Sequence, residues 1–192
     1  MILAIDLAFR NIGWCVFSEK YFVSCGVIKT SDTQIVSYRL NELDKQFYKE
    51  NYKLPTYHYK NEMYIHTIKT CILILDDIVK GFSPEELVCE VPHSGGMDFR
   101  SVSQMAMSIS MIASLSALRN YKLIVVQQSV SKKILKQHFN IKETTKQHSV
   151  EFAKEKFPDL VLPKQKELQH HIADAAIAYY STKELLYESQ SI

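Results

Sequence analysis

The chain has 192 residues, 46% of them hydrophobic and 23% charged, which matches one ordinary globular domain, 1–192, with a sizeable core. No run reaches the roughly 18 apolar residues that span a bilayer, and the N-terminus lacks the basic stretch and small-residue cleavage site of a signal peptide. The expectation is a soluble, cytoplasmic protein with no membrane partner. Cys15, Cys25, Cys71 and Cys89 are widely spaced, which excludes zinc-ribbon and CxxC redox readings and leaves free core thiols. The net charge of +2 conceals an asymmetry: residues 1–90 carry ten Lys and Arg against twelve Asp and Glu, whereas residues 119–156 carry nine against three. Such a basic stretch is either a set of solvated helix faces or a strip that contacts phosphates, and charge alone does not decide between them.

In chain order, residues 2–7, 12–18 and 22–28 read as three strands of a meander, with turn residues at 11–13 and 18–20. Helical spacing follows over 38–80 as two helices interrupted at Pro55. The second covers 59–79, with Met63, Ile65, Ile68, Ile72 and Leu75 among its apolar positions. After Pro84, residues 87–91 form a short buried strand, then come a Gly95-Gly96 loop and a Ser- and Met-rich helix over 101–119. Residues 123–127 are another apolar strand, helices follow at 129–139 and 144–157, and a last helix covers 166–187. Strands first, then strands alternating with helices, indicate an α/β fold: a five-stranded mixed sheet with a parallel portion, flanked by helices.

Three acids stand where the chain is least able to tolerate them. Asp6 ends the apolar run 1–5, Glu90 follows Leu87, Val88 and Cys89, and Asp174 lies in an Ala- and Ile-rich helical segment beside His170 and His171. An isolated carboxylate in apolar surroundings costs several kcal/mol unless it is paired or bound to a metal. If the strands ending in Asp6 and Glu90 are parallel neighbours about 4.8 Å apart, the two acids stand side by side. The last helix then brings Asp174, with His171 three residues earlier and His170 four earlier, either of which shares its face. Three carboxylates and an imidazole suit Mg²⁺ or Mn²⁺ better than structural zinc. Two such ions activate a water and stabilise the leaving oxygen in phosphoryl displacement.

The chain resembles the RuvC family of Holliday junction resolvases, of the RNase H-like (ribonuclease H-like) superfamily, over nearly its whole length. The likeness rests on Asp6 with Gly13-Trp14 seven residues on, Glu90 in LVCEVP, and His171-Ile-Ala-Asp174-Ala175-Ala176 in the last helix, with lysine-bearing helices between. It implies an endonuclease that resolves four-way DNA junctions, leaves 5′-phosphate ends, uses two Mg²⁺ per site with Mn²⁺ as substitute, and works as a homodimer. Asp6, Glu90, His171 and Asp174 are then the catalytic and metal-binding set. Lys132, Lys133, Lys136, Lys146 and Arg100 contact DNA, and His93 or Phe99 takes the place of the aromatic residue that enters the junction. The short form with an insert around 40–60 points to a phage or viral member, hence to a host cytoplasm.

Two departures bear on selectivity. Leu7-Ala8 stands where the family has Pro-Gly, and the insert places Phe47, Tyr48, Tyr52, Tyr57 and Tyr59 among lysines with no family counterpart. Two other nucleic-acid readings stay open: a nuclease of relaxed choice acting on flaps, forks or RNA–DNA hybrids, and a junction-binding protein without cleavage. An ATP-binding member of the actin and sugar-kinase group is disfavoured, because Leu7-Ala8 replaces the glycines that let backbone approach phosphate.

Overall fold

The computed structural model describes residues 1–19, 21–91 and 99–190, without the side chains of 99, 100 and 184–190. The strands are β1 (Ile2–Ala8), β2 (Asn11–Ser18), β3 (Tyr21–Thr30), β4 (Gln34–Leu40), β5 (Phe47–Lys53), β6 (Glu86–Val91) and β7 (Lys122–Gln127). The helices are α1 (Lys60–Phe82), α2 (Phe99–Arg119), α3 (Gln128–Phe139), α4 (Lys146–Lys156) and α5 (Lys166–Gln190). The strands form a seven-stranded sheet in the order β5-β4-β3-β2-β1-β6-β7; β6 is parallel to both β1 and β7, and the remaining pairs are antiparallel.

The sheet has seven strands rather than the expected five, and the difference lies within 34–53. Helical spacing was expected from 38, but Gln34–Leu40 and Phe47–Lys53 pair as a hairpin that widens the sheet past β3. Val36 and Leu40 suit a helix period as well as a strand. What decides is Ile35, Val36 and Ser37, buried in succession, which a strand between two covered faces provides. β5 is the sheet edge, mostly exposed, with Phe47 and Tyr52 alone half-buried. Its Lys and Glu residues blunt that edge against pairing with another chain.

β1 sits centrally and is covered on both faces, so it reads as one apolar run with Asp6 as the exception. Alternation sorts the side chains. Leu3, Ile5 and Leu7 join Cys71, Ile74, Leu75, Ile112 and Leu115 in a core under α1 and α2. Ala4, with Cys15, Phe17 and Val88, joins Leu168, Ile172, Ala173, Ala175, Ala176 and Tyr179 in a core under α5. Asp6 shares the parity of Ala4, and Glu90 that of Val88, so both acids project onto the α5 face.

All four cysteines are free and buried. The membrane expectation needs one correction: Ser101–Arg119 is 19 residues of mean hydropathy 1.3, long and apolar enough to cross a bilayer by length and composition. Met111, Ile112 and Leu115 of that helix pack into the core with α1.

Candidate active site

The site is built where β1 and β6 end. Asp6 and Glu90 are register partners across the parallel pair. α5 crosses above them, and Gly13 on β2 sets how closely it does so. A Cβ on Gly13 would lie 2.1 Å from the His171 carbonyl oxygen, so only glycine lets this helix turn rest on the sheet. The alanines at 173, 175 and 176 allow the same close approach along α5. His171 is thereby held with Nδ1 3.0 Å from Asp6 Oδ2. Helical spacing left His170 and His171 equivalent and the resemblance favoured His171; the structure puts His171 against Asp6 and the His170 ring against His171, tilted by 40° at 3.9 Å between centroids.

The electrostatics are those of buried acids that nearby lysines compensate only in part. Glu90 is 5% exposed and its carboxyl is pushed up to about 8, first by burial and then by the neighbouring charges of Asp6 and Asp174. Asp6 is raised to about 7 by burial, against the pull of Lys146. Asp174 is also raised to about 7, by burial and then by Asp6, with the Ser149 hydroxyl, His171 and Lys146 opposing. Burial takes His171 down to about 4, outweighing the attraction of Asp174, so its contact with Asp6 joins a neutral imidazole to a carboxyl group rather than an ion pair. Among the described residues neither Glu90 nor Asp174 has a cationic partner within ion-pair distance.

Above the acids lies a cleft of about 200 Å³, whose lining includes Glu90, Asp174, Lys132 and Lys146 together with Ser131 and Ser149. α3 contributes Ser131 and Lys132. α4 presents its N-terminus, where Thr145 and His148 form a reciprocal capping box. A helix N-terminus adds partial positive charge to that of the lysines. Ser131 and Ser149 were not singled out from the sequence, because a serine inside a helix carries no chemical signature of its own. Both are buried, at 4% and 6% exposure. The Ser131 hydroxyl faces Glu90 without closing a hydrogen bond of good geometry, and Ser149 lies beside Asp174.

The structure thus brings together Asp6, Glu90, His171 and Asp174, with Lys132 and Lys146 in the adjoining cleft. Lys133 and Lys136 are exposed on α3 outside that lining. His93 lies outside the described residues; Phe99 and Arg100 open α2, but their side chains are outside the description. Among the described residues no three His, Cys, Asp or Glu side chains are already grouped closely enough to hold an ion. The donor set nonetheless suits a hard divalent cation: oxygens with one imidazole, buried, mutually repelling and, among the described residues, with no Lys or Arg within ion-pair distance. Asp6 and Glu90 are register partners, their backbones one strand spacing apart.

No protein-family model matches the chain, and no curated protein matches its sequence. Solved structures do match in shape. RuvC of Thermus thermophilus in complex with a Holliday junction substrate superposes with a TM-score of 0.54 at 11% identity, over 96% of this chain and 95% of that one. A second Thermus thermophilus RuvC structure gives 0.54 at 12% identity over the same shares. The yeast mitochondrial Holliday junction resolvase Ydc2 gives 0.54 at 16% identity, over 97% of this chain and 80% of that one. The fold is therefore RuvC-like, a mixed α/β sheet with helices on both faces.

Proposed function

We propose that this RuvC-like chain is a divalent-metal-dependent endonuclease that resolves four-way DNA junctions by hydrolysing phosphodiester bonds. The observation that carries the reading is the meeting of Asp6, Glu90 and Asp174, from three elements far apart in sequence, beside a cleft walled by lysines. Acids buried together work against folding, and a site for cation chemistry on a polyanion accounts for their presence. Asp6, Glu90 and Asp174 would hold two Mg²⁺ ions, or Mn²⁺ in their place, with His171 as a further ligand. Bound there, the pair supplies a water of lowered pKa and charge stabilisation at the leaving oxygen.

The chain's own residues do the rest. His171 has Nδ1 engaged by Asp6, which leaves Nε2 to bind or to accept a proton. Lys132 and Lys146 offer ammonium groups to phosphate oxygens, and Lys133 and Lys136 extend that strip along α3. Cleavage that leaves 5′-phosphate ends follows the family resemblance.

Opposed cuts in a four-way junction need two sites related by a two-fold axis, so the reading includes a homodimer. Its support is a cleft of about 440 Å³ between α1 and α2, lined by Ile68, Ile72 and Met107 among others, on two helices that also expose Ile65, Leu73 and Leu118.

The test is cleavage of a labelled four-way junction in Mg²⁺, Mn²⁺ or EDTA, with linear duplex, flap and RNA–DNA hybrid controls, comparing wild type with Asp6→Asn. Paired metal-dependent nicks at the junction are expected. The substitution should lower their rate by on the order of 10³-fold, the equivalent of several kcal/mol of lost charge stabilisation. Equal cutting of flaps would overturn junction selectivity, and tight binding without cleavage in either metal would leave a binding protein.

A further inference from the structure

Beyond Lys146 the cleft continues into a second groove, between α4 and the first turns of α5, with a volume of about 570 Å³. Lys146, Lys154 and Lys166 line it against one acid, Glu167, and Gln147 and Gln169 add neutral amides. Lys146 and Lys154 are two turns apart on the same face of α4. Eight residues of helix span about 12 Å, the axial rise of about three to four nucleotides of a duplex strand. Lys146 is also the first residue of α4 and Lys166 the first of α5, so the N-terminal residues of two helices line the same groove.

His170 also lines this groove, 8% exposed, with its ring against that of His171.

We infer that the α4–α5 groove binds the phosphodiester backbone of the DNA strand whose reacting phosphate lies over Asp6, Glu90 and Asp174, taking the phosphates on the far side of Lys146. The direction of the strand rests on the nuclease reading; the groove's affinity for DNA backbone does not. Lys146 then contacts phosphates on both sides, and the α4 N-terminus is the pivot between the reacting phosphate and those that position it. The groove reads charge and spacing rather than bases, so its contribution is independent of sequence.

The experiment uses the full chain and a labelled four-way junction in Ca²⁺ or EDTA, where binding is read without cleavage. Lys154→Gln and Lys166→Gln are made singly and together, with Lys80→Gln on α1 as the control. Each groove lysine should reduce the slope of log affinity against log salt by about 1, so the double variant loses about 2 and the control none. Junctions carrying methylphosphonates two to four nucleotides from the cut site should bind the wild type several-fold more weakly and leave the double variant unchanged. An unaltered salt slope in the double variant, or equal sensitivity of both proteins to the neutral linkages, would overturn the inference. Failure of cleavage with the slope change intact would remove the nuclease reading and leave the groove.

Discussion

In the proposed site one hydroxyl bears on how a buried acid would meet a cation. Ser149 lies beside Asp174 and pulls its carboxyl down against the rise that burial and Asp6 impose, which favours the charged form. Groups that orient metal ligands in this way are typically worth about 10–100-fold in metal affinity. Ser149→Ala should therefore raise the Mn²⁺ concentration for half-saturation, measured by titration calorimetry, by about 10-fold, with little effect on the rate at saturating metal. A residue that merely fills space would change the melting temperature and leave the metal titration where it was. Neither Ser149 nor Ser131 was legible in the sequence, since a serine's role depends on what faces it. The acids were legible because a charge in an apolar run is costly wherever the chain takes it. The choice between His170 and His171 needed the helix's rotation about its axis, which Gly13 and the alanines of α5 fix.

At the scale of elements, α1 and α2 are joined at their exposed ends by one acid with two cations. Arg119 donates from Nε and Nη2 to the two oxygens of Asp76, both at 2.7 Å, and Lys80 one turn on donates at 2.8 Å. Those bonds, Arg119 foremost, hold the Asp76 carboxyl down at about 2. A carboxyl lowered on folding adds stability above its unfolded value, near 4, and that contribution is lost as pH falls toward 2. The cations are half-exposed and screened, so the link is worth about 1 kcal/mol or less. Asp76→Asn should lower the melting temperature by about 2–4 °C at pH 7 and by nothing near pH 2. Equal differences at both values would remove the pair from the account. This bidentate pairing was not legible in advance, because its partners are 43 residues apart.

The regular elements with strong periodicity were expected nearly as they stand: the opening meander, α1 and the alternation from β6 to α5. The β4–β5 hairpin was not, since its apolar positions fit both periods and β5 is too polar to announce itself as a strand. α2 shows the converse difficulty. Its hydropathy reaches that of a membrane span although one side packs on the core, because the opposite side is apolar too. That second side belongs to the proposed dimer, where its partner is another copy of the chain.

At the scale of the whole molecule, the proposed assembly is open to a direct check. Leu118 is 79% exposed near the end of α2, so Leu118→Glu removes no core contact. In light scattering after size exclusion the wild type should run as a dimer and Leu118→Glu as a monomer with unchanged circular dichroism. A wild type that is already monomeric would sink the two-fold arrangement. The overall architecture was more legible than the identities of its residues suggest: at 11% identity the shape matches over 96% of the chain, since spacing and burial constrain a sheet far more than particular side chains do.

The crossing of α5 over Gly13 also has a meaning in time. Asp6 is made first and waits 165 residues for His171, while the helix that carries Asp174 is the last element described. A chain growing from its N-terminus folds its early units first, so the meander and β6 assemble with two of the three acids and no lid above them. On the proposed nuclease reading the donor set stays incomplete until α5 docks, so a nascent chain would not yet be able to cut nucleic acid.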